Sequence, residues 1–122
     1  MQPHTLTRAE RLRTLGAIRR MFTDGESGFT FPFRYVWYAE SDQIATTRVL
    51  FSVPKKFHKR ANKRNLLRRR TKEAYRLQKE LLTAPRPTHI DLGLIYSSKE
   101  VLSQKTIAHA VRKILEHISS KL

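Results

Sequence analysis

The 122-residue chain has no cysteine, only ten acidic side chains, and no apolar run near the roughly 20 residues that span a membrane. Without cysteine there is no disulfide framework, no Cys-ligated zinc or iron–sulfur centre and no thiol nucleophile. The same lack suits a reducing compartment. The ten carboxylates are scattered, with no close pair or Asp-x-Asp cluster of the kind a protein-borne catalytic metal needs. His89-x-Asp91, and His109 with His117 two turns on, come nearest to a ligand set, and each reads more simply as packed or solvated histidine. The first 20 residues hold Arg8, Arg11, Arg13, Arg19 and Arg20 but no apolar h-region, so no secretory signal is expected. The expectation is a cytoplasmic protein that binds no metal or cofactor itself, with neither a membrane nor a small molecule as its partner.

What the chain has in excess is positive charge: 25 Lys and Arg, for a net charge of +15. A charge of that size implies an acidic partner, namely nucleic acid, an anionic membrane surface or an acidic protein. The length fits one domain over residues 1–122, and 39% apolar residues suffice for a core. The charge is concentrated. Residues 55–72, KKFHKRANKRNLLRRRTK, carry ten basic side chains and no acid. The run is internal and flanked by apolar segments, so it reads as a packed basic element, not a tail.

Leu12, Leu15, Ile18 and Phe22 recur at helical spacing before an Asp24-Gly25 stop. The helix starts either at a Thr7–Glu10 capping box or, as favoured here, after Thr14. A loop is expected over residues 25–28. Residues 29–39, FTFPFRYVWYA, have strand character, with Phe31, Phe33, Tyr35 and Trp37 on one face. Residues 46–53 alternate as a second strand, and the two most simply form an antiparallel hairpin. A helix follows over residues 62–82, stopped by Ala84-Pro85. Residues 90–96 are nearly all apolar, as in a strand buried on both faces. Ser103 can cap a last helix with an apolar stripe through Ile107, Val111, Ile114, Leu115, Ile118 and Leu122. The order is α-β-β-α-β-α, an α+β sandwich of helices on a small, mostly antiparallel sheet.

On a helical wheel with Arg60 at zero, Leu66, Leu67, Ala74, Leu77 and Leu81 fall between about 240° and 340°, while Arg64, Asn65, Arg68, Arg69, Lys72, Arg76 and Lys79 fall between about 40° and 180°. Tyr75 lies near the cationic edge, and Arg70 falls in the apolar sector. Like charges at i,i+3 and i,i+4 repel by a few tenths of a kcal/mol per pair. Arg64–Arg68, Arg68–Lys72, Lys72–Arg76 and Arg69–Lys72 accumulate that cost, which phosphate on the exposed face would offset. Arg presents a planar fork suited to phosphate, and Asn65 can read a base or sugar edge. A membrane-binding helix would need bulky apolar residues free to insert, and here the apolar face must cover the sheet. The aromatic face at residues 31–37 is either core or a platform for unpaired bases. No helix-turn-helix spacing or zinc ligand set is evident. RNA or another single strand is the favoured partner.

Ser52-Val53-Pro54-Lys55-Lys56, followed by Arg64-Asn65-x-x-Arg68-Arg69-x-x-Lys72-Glu73-Ala74-Tyr75, resembles the protein subunit of bacterial ribonuclease P. Arg11-Leu12, Ile18, Met21-Phe22, Gly25 and Ser27 resemble the family stretch that leads through its first helix. The departures are a longer, more basic linker at residues 58–63, an exchange of Lys and Arg at Arg68 and Lys72, Arg70 in place of an apolar residue, and Ile18 in place of Phe. The resemblance implies a left-handed βαβ crossover of the kind in ribosomal protein S5 domain 2. It also implies a subunit that assists a catalytic RNA in removing the 5′ leader of precursor tRNA, with Mg²⁺ held at the RNA active site. Ribonuclease P RNA and precursor tRNA are then the partners. Carried onto this chain, Lys55, Lys56, Arg60, Arg64, Asn65, Arg68, Arg69, Lys72 and Arg76 would bind RNA. Ile18, Phe22, Tyr35 and Trp37 would line a leader cleft, and no residue of the protein would be catalytic. A ribosomal or other structural RNA-binding protein of the same superfold is the alternative.

If about six basic side chains meet phosphates, log K for RNA binding falls against log salt with a slope of about −4 to −5. A salt titration giving a slope near zero would remove electrostatics from this reading.

Overall fold

The structure, a computed structural model, describes residues 10–12 and 14–122. The elements are α1 (Leu15–Asp24), β1 (Glu26–Thr30), β2 (Phe33–Ser41), β3 (Thr46–Ser52), α2 (Ala61–Gln78) running into a 3-10 turn (Lys79–Leu81), β4 (Thr88–Tyr96) and α3 (Gln104–Lys121). The expected order holds, with one further strand, β1, where a loop was expected. The shorter first helix is the one formed, and the alternative start at Thr7 lies outside the described residues. Ser103 caps α3 as read, its Oγ accepting from the Thr106 N–H at 3.2 Å.

The sheet order is β1-β2-β4-β3. The expected β2–β3 hairpin is therefore not present. β4 lies between those strands, antiparallel to β2 (Val36 opposite Gly93) and parallel to β3 (Leu50 opposite Gly93). The physical reason is in β4 itself. It is buried along both faces, with Ile90, Leu92, Leu94 and Tyr96 on one and Asp91 and Gly93 on the other, and only an interior position covers both. β3 reaches β4 through α2, the long crossover that parallel neighbours require. The hairpin in the fold is β1–β2, turning at Phe31-Pro32 through a cis peptide bond.

Alternation along the strands divides the molecule. On one face Phe33, Tyr35 and Trp37 of β2, Val49 of β3, and Leu92, Leu94 and Tyr96 of β4 form the main core with Leu67, Ala74 and Tyr75 of α2 and the apolar stripe of α3. Phe33 and Tyr96 meet edge to face with ring centres 5.6 Å apart. On the other face a smaller cluster joins Leu12, Met21 and Val36, with Ala17, Ile18, Tyr38 and Leu50 at its rim. Gly93 lies under α1, where a β-carbon would sit 2.9 Å from the Met21 methyl. Among the described residues no helix is long and apolar enough to cross a membrane.

Leu94 is fully buried at the centre of the main core. Leu94→Ala should lower unfolding free energy by about 2–5 kcal/mol in chemical denaturation, because the lost contacts and the cavity add.

Candidate nucleic-acid interface

The buried stripe of α2 is Leu67, Thr71, Ala74 and Tyr75. On the wheel used above it centres near 5°, a rotation of about 75° from the expected apolar sector. Leu66 is half-buried and Leu77 is exposed. Two side chains account for the rotation. The Thr71 hydroxyl donates to the Leu67 carbonyl at 2.8 Å, which makes its burial inexpensive. Tyr75 sets its ring edge-on to Phe51 of β3 at 5.9 Å, and burial raises its phenol pKa. Arg70 does not enter the core. Its Nη1 donates to the Leu102 carbonyl at 2.5 Å, and the Gln104 amide donates to the Arg70 carbonyl at 2.9 Å, which ties α2 to the start of α3.

The cationic surface is real but narrower than the sequence implies. Lys55, Lys56, Lys59, Arg60, Lys63, Asn65 and Arg69 are exposed, and Arg68 and Lys72 are half-buried beside them. Arg68 Nη1 donates to Asn65 Oδ1 at 3.1 Å, so the one amide and its neighbouring guanidinium act as a pair. Arg64 turns back instead of outward: its Nη1 donates to the carbonyls of His58 (3.1 Å) and Lys59 (2.7 Å). Arg76 pairs with Glu73 one turn earlier, a bond that lowers the carboxyl pKa and raises that of the guanidinium. Burial, and then the positive charges of Arg11 and Arg68, hold the Lys72 ammonium below the ordinary lysine pKa.

The basic linker is a built loop. His58 is buried, its Nε2 lies 2.8 Å from the Ser98 carbonyl oxygen, and its ring packs 5.8 Å from that of Tyr96. His58 thereby anchors the start of the linker to the core, while residues 59–63 stay exposed and 61–63 form the first turn of α2. Sequence reasoning missed Arg11, which reaches the Lys72 neighbourhood because Arg11 bridges Val49 and the Leu12 N–H donates to the Val49 carbonyl at 2.9 Å. The only signal was Arg11-Leu12 in the family resemblance.

The four cleft residues are not brought together. Tyr35 and Trp37 are buried in the main core on the α2–α3 face. Ile18 and Phe22 belong to α1 on the opposite face, Ile18 half-buried and Phe22 51% exposed. Tyr35 and Trp37 share a face with Phe33, and apolar rings at alternate positions fill a core before they line an open surface. The aromatics left in solvent are Phe22, Phe29 and Phe31. Of these, Phe29 lies opposite Arg34, on the α1 face, and Phe31 occupies the β1–β2 turn. His89 and Asp91 do approach, Nε2 to Oδ1 at 3.0 Å, but Arg48 and Arg20 also reach that carboxylate. Two guanidiniums beside it oppose a bound cation.

Arg69→Ala should weaken RNA binding by about 1–3 kcal/mol with the thermal midpoint unchanged. Arg64→Ala should lower the thermal midpoint as well, since it unclips the linker. Equal behaviour of the two variants in paired binding and melting experiments would contradict this division.

Comparison with known proteins agrees with the geometry. The family model described as Ribonuclease P matches residues 6–119. The ribonuclease P protein component of Porphyromonas gingivalis strain W83 is 32% identical over 121 residues, covering 96% of this chain and 88% of the relative. The RNase P protein of Thermotoga maritima superposes with a TM-score of 0.72 at 24% identity, over 89% of this chain and 97% of that one. A mutant RNase P protein of Staphylococcus aureus gives 0.74 at 21% identity, over 89% and 87%. Matched by the family model over residues 6–119 and by a relative at 32% identity over most of both chains, the chain belongs to the ribonuclease P protein family.

Proposed function

We propose that the outer side of α2, with the linker before it, binds the catalytic RNA of ribonuclease P, and that the α1 face of the sheet receives the 5′ leader of precursor tRNA. As a family member the chain is a tRNA-processing subunit of that endoribonuclease. The observation that carries the RNA reading is the one-sided surface of Lys55, Lys56, Lys59, Arg60, Lys63, Arg69 and the Arg68–Asn65 pair on elements that the core holds still. Such a surface supplies phosphate contacts without paying the ordering entropy of a disordered basic arm.

The leader reading rests on the α1 face. Leu15 and Phe22 of α1 and Phe29 of β1 are each more than half exposed, and Phe29 lies across the hairpin from exposed Arg34. Open aromatic faces with a nearby guanidinium stack unpaired bases of any sequence, as a variable leader demands. Mg²⁺ at the RNA would supply the nucleophile and stabilise the leaving oxygen. The part played by this chain is to lower the repulsion between two RNAs and to hold the leader.

The test is reconstitution with ribonuclease P RNA and labelled precursor tRNA. The protein alone should cleave nothing. Added to the RNA, it should lower the Mg²⁺ requirement and tighten precursor binding over mature tRNA. Phe22→Ala should remove about 1–3 kcal/mol of that preference. Equal binding of the two tRNAs would defeat the leader reading, and co-purification with ribosomal subunits in high salt would favour a structural RNA-binding role. Lys72 gives an independent check. A phosphate beside it favours the charged form, so its NMR titration midpoint should rise when the catalytic RNA is added; a fall would take Lys72 out of the interface.

A further inference from the structure

We infer that Asp91 is the positioning residue of the leader cleft: through Arg20 it sets where α1 sits over the sheet. The inference rests on the leader reading of the α1 face.

α1 is the most weakly seated of the three helices. Met21 is its one buried residue, and Thr14 makes no side-chain cap bond to it. α3, by contrast, buries six apolar side chains. So little apolar contact leaves the height and rotation of α1 poorly determined, and a directional polar contact then decides them. That contact is present. Asp91, on the interior strand β4, is completely buried and points to the α1 side. Arg48 of β3 grips it with two bonds, Nε to Oδ1 at 3.0 Å and Nη2 to Oδ2 at 3.2 Å. Arg20 of α1 reaches Oδ2 through Nη2 at 3.4 Å. The Arg20 guanidinium also lies over the Tyr38 ring at 4.7 Å, with Nη1 3.6 Å from Glu40 Oε1. His89 completes the set, Nε2 to Oδ1 at 3.0 Å.

This geometry joins α1 to β4 and β3 through one carboxylate, and the Arg20 guanidinium itself meets β2 at Tyr38 and Glu40. A bidentate Arg–carboxylate pair has a fixed plane. With Arg48 holding Asp91 in that plane, the position left for the Arg20 guanidinium is set, and with it the register of α1. Leu15, Ile18 and Phe22 ride on the same helix, so the distance between them and Phe29 and Arg34 follows from a contact none of them makes. Arg20 sits two residues from each of Ile18 and Phe22, which is why a small rotation there would move the cleft wall. A clamp of this kind acts on leader binding and leaves the α2 surface, on the opposite face, as it is.

The experiment uses the reconstituted holoenzyme and two measurements: preference for precursor over mature tRNA, and affinity for the catalytic RNA. Arg20 is partly exposed, so Arg20→Met should fold even if Asp91→Asn does not. Arg20→Met should lower the precursor preference by about fivefold or more, the low end of ordinary coupling between sites. Affinity for the catalytic RNA should hold within about twofold, a change under the usual limit of additivity between separate sites. Arg20→Lys, which keeps the charge, should recover part of the loss. Where Asp91→Asn folds, the double variant should lose no more than the worse single one, because both break the same contact. Phe22→Ala serves as the control on the cleft. If Phe22→Ala lowers the preference and Arg20→Met does not, the clamp is overturned and the cleft stands. If neither lowers it, both are overturned. If Arg20→Met weakens catalytic-RNA binding as much as it weakens precursor preference, Asp91 serves general stability and the inference fails.

Discussion

Strand β4 needs cover on both faces, and most of the molecule is arranged around that need. Its alternate residues face two separate regions: Leu92, Leu94 and Tyr96 belong to the main core, and Asp91 and Gly93 lie on the α1 side. Burial on both sides places β4 between β2 and β3 and requires a crossover to make β3 parallel to it. α2 is that crossover. Its charged side is therefore turned to solvent by the same packing that seats Leu67, Ala74 and Tyr75. α1 is left to cover the other face, thinly. The two surfaces assigned to two RNAs are separated by one sheet, so each can be occupied without displacing the other.

The excess charge divides into arginines that build and cations that wait. Arg64, Arg70 and Arg76 bond to the linker, to the start of α3 and to Glu73. Arg20 and Arg48 surround a buried carboxylate. These five are more than charge: all but Arg76, whose bond stays within α2, use the directional donors of the guanidinium to join two segments. The lysines at 55, 56, 59 and 63, with Arg60 and Arg69, stay in water, where a flexible chain and an exposed head suit a polyanion. A net charge of +15 is thus a poor measure of the interface, since part of it holds the scaffold in place.

Features written in local pattern were readable in advance. The Ser103 cap, the apolar stripe of α3 and the nearly continuous apolar run of β4 each depend on neighbours in sequence. Pairing partners do not, and the nearest-neighbour hairpin failed because burial of β4 outweighed the short loop between β2 and β3. The phase of α2 was misjudged because leucines were ranked above Thr71 and Tyr75. Yet a threonine can satisfy its own hydroxyl within the helix, and a tyrosine offers more area to Phe51 than Leu77 could. The cleft assignment erred in the same way: Tyr35 and Trp37 carry aromatic rings, and the core claimed them first. Arg11 carried no local signal of its role, because its place beside Lys72 arises only when Leu12 bonds to the edge of β3.

The central claim is that opposite faces of one small sheet meet different RNAs. Site-directed photocrosslinking in the assembled holoenzyme tests it most directly, with probes at the exposed positions Asn65 and Leu15. The account predicts that the probe at Asn65 marks the catalytic RNA whatever the length of the leader. The probe at Leu15 should mark the precursor tRNA leader and lose its product when the leader is trimmed away. Crosslinks from both positions to the same RNA, unaffected by the leader, would contradict it.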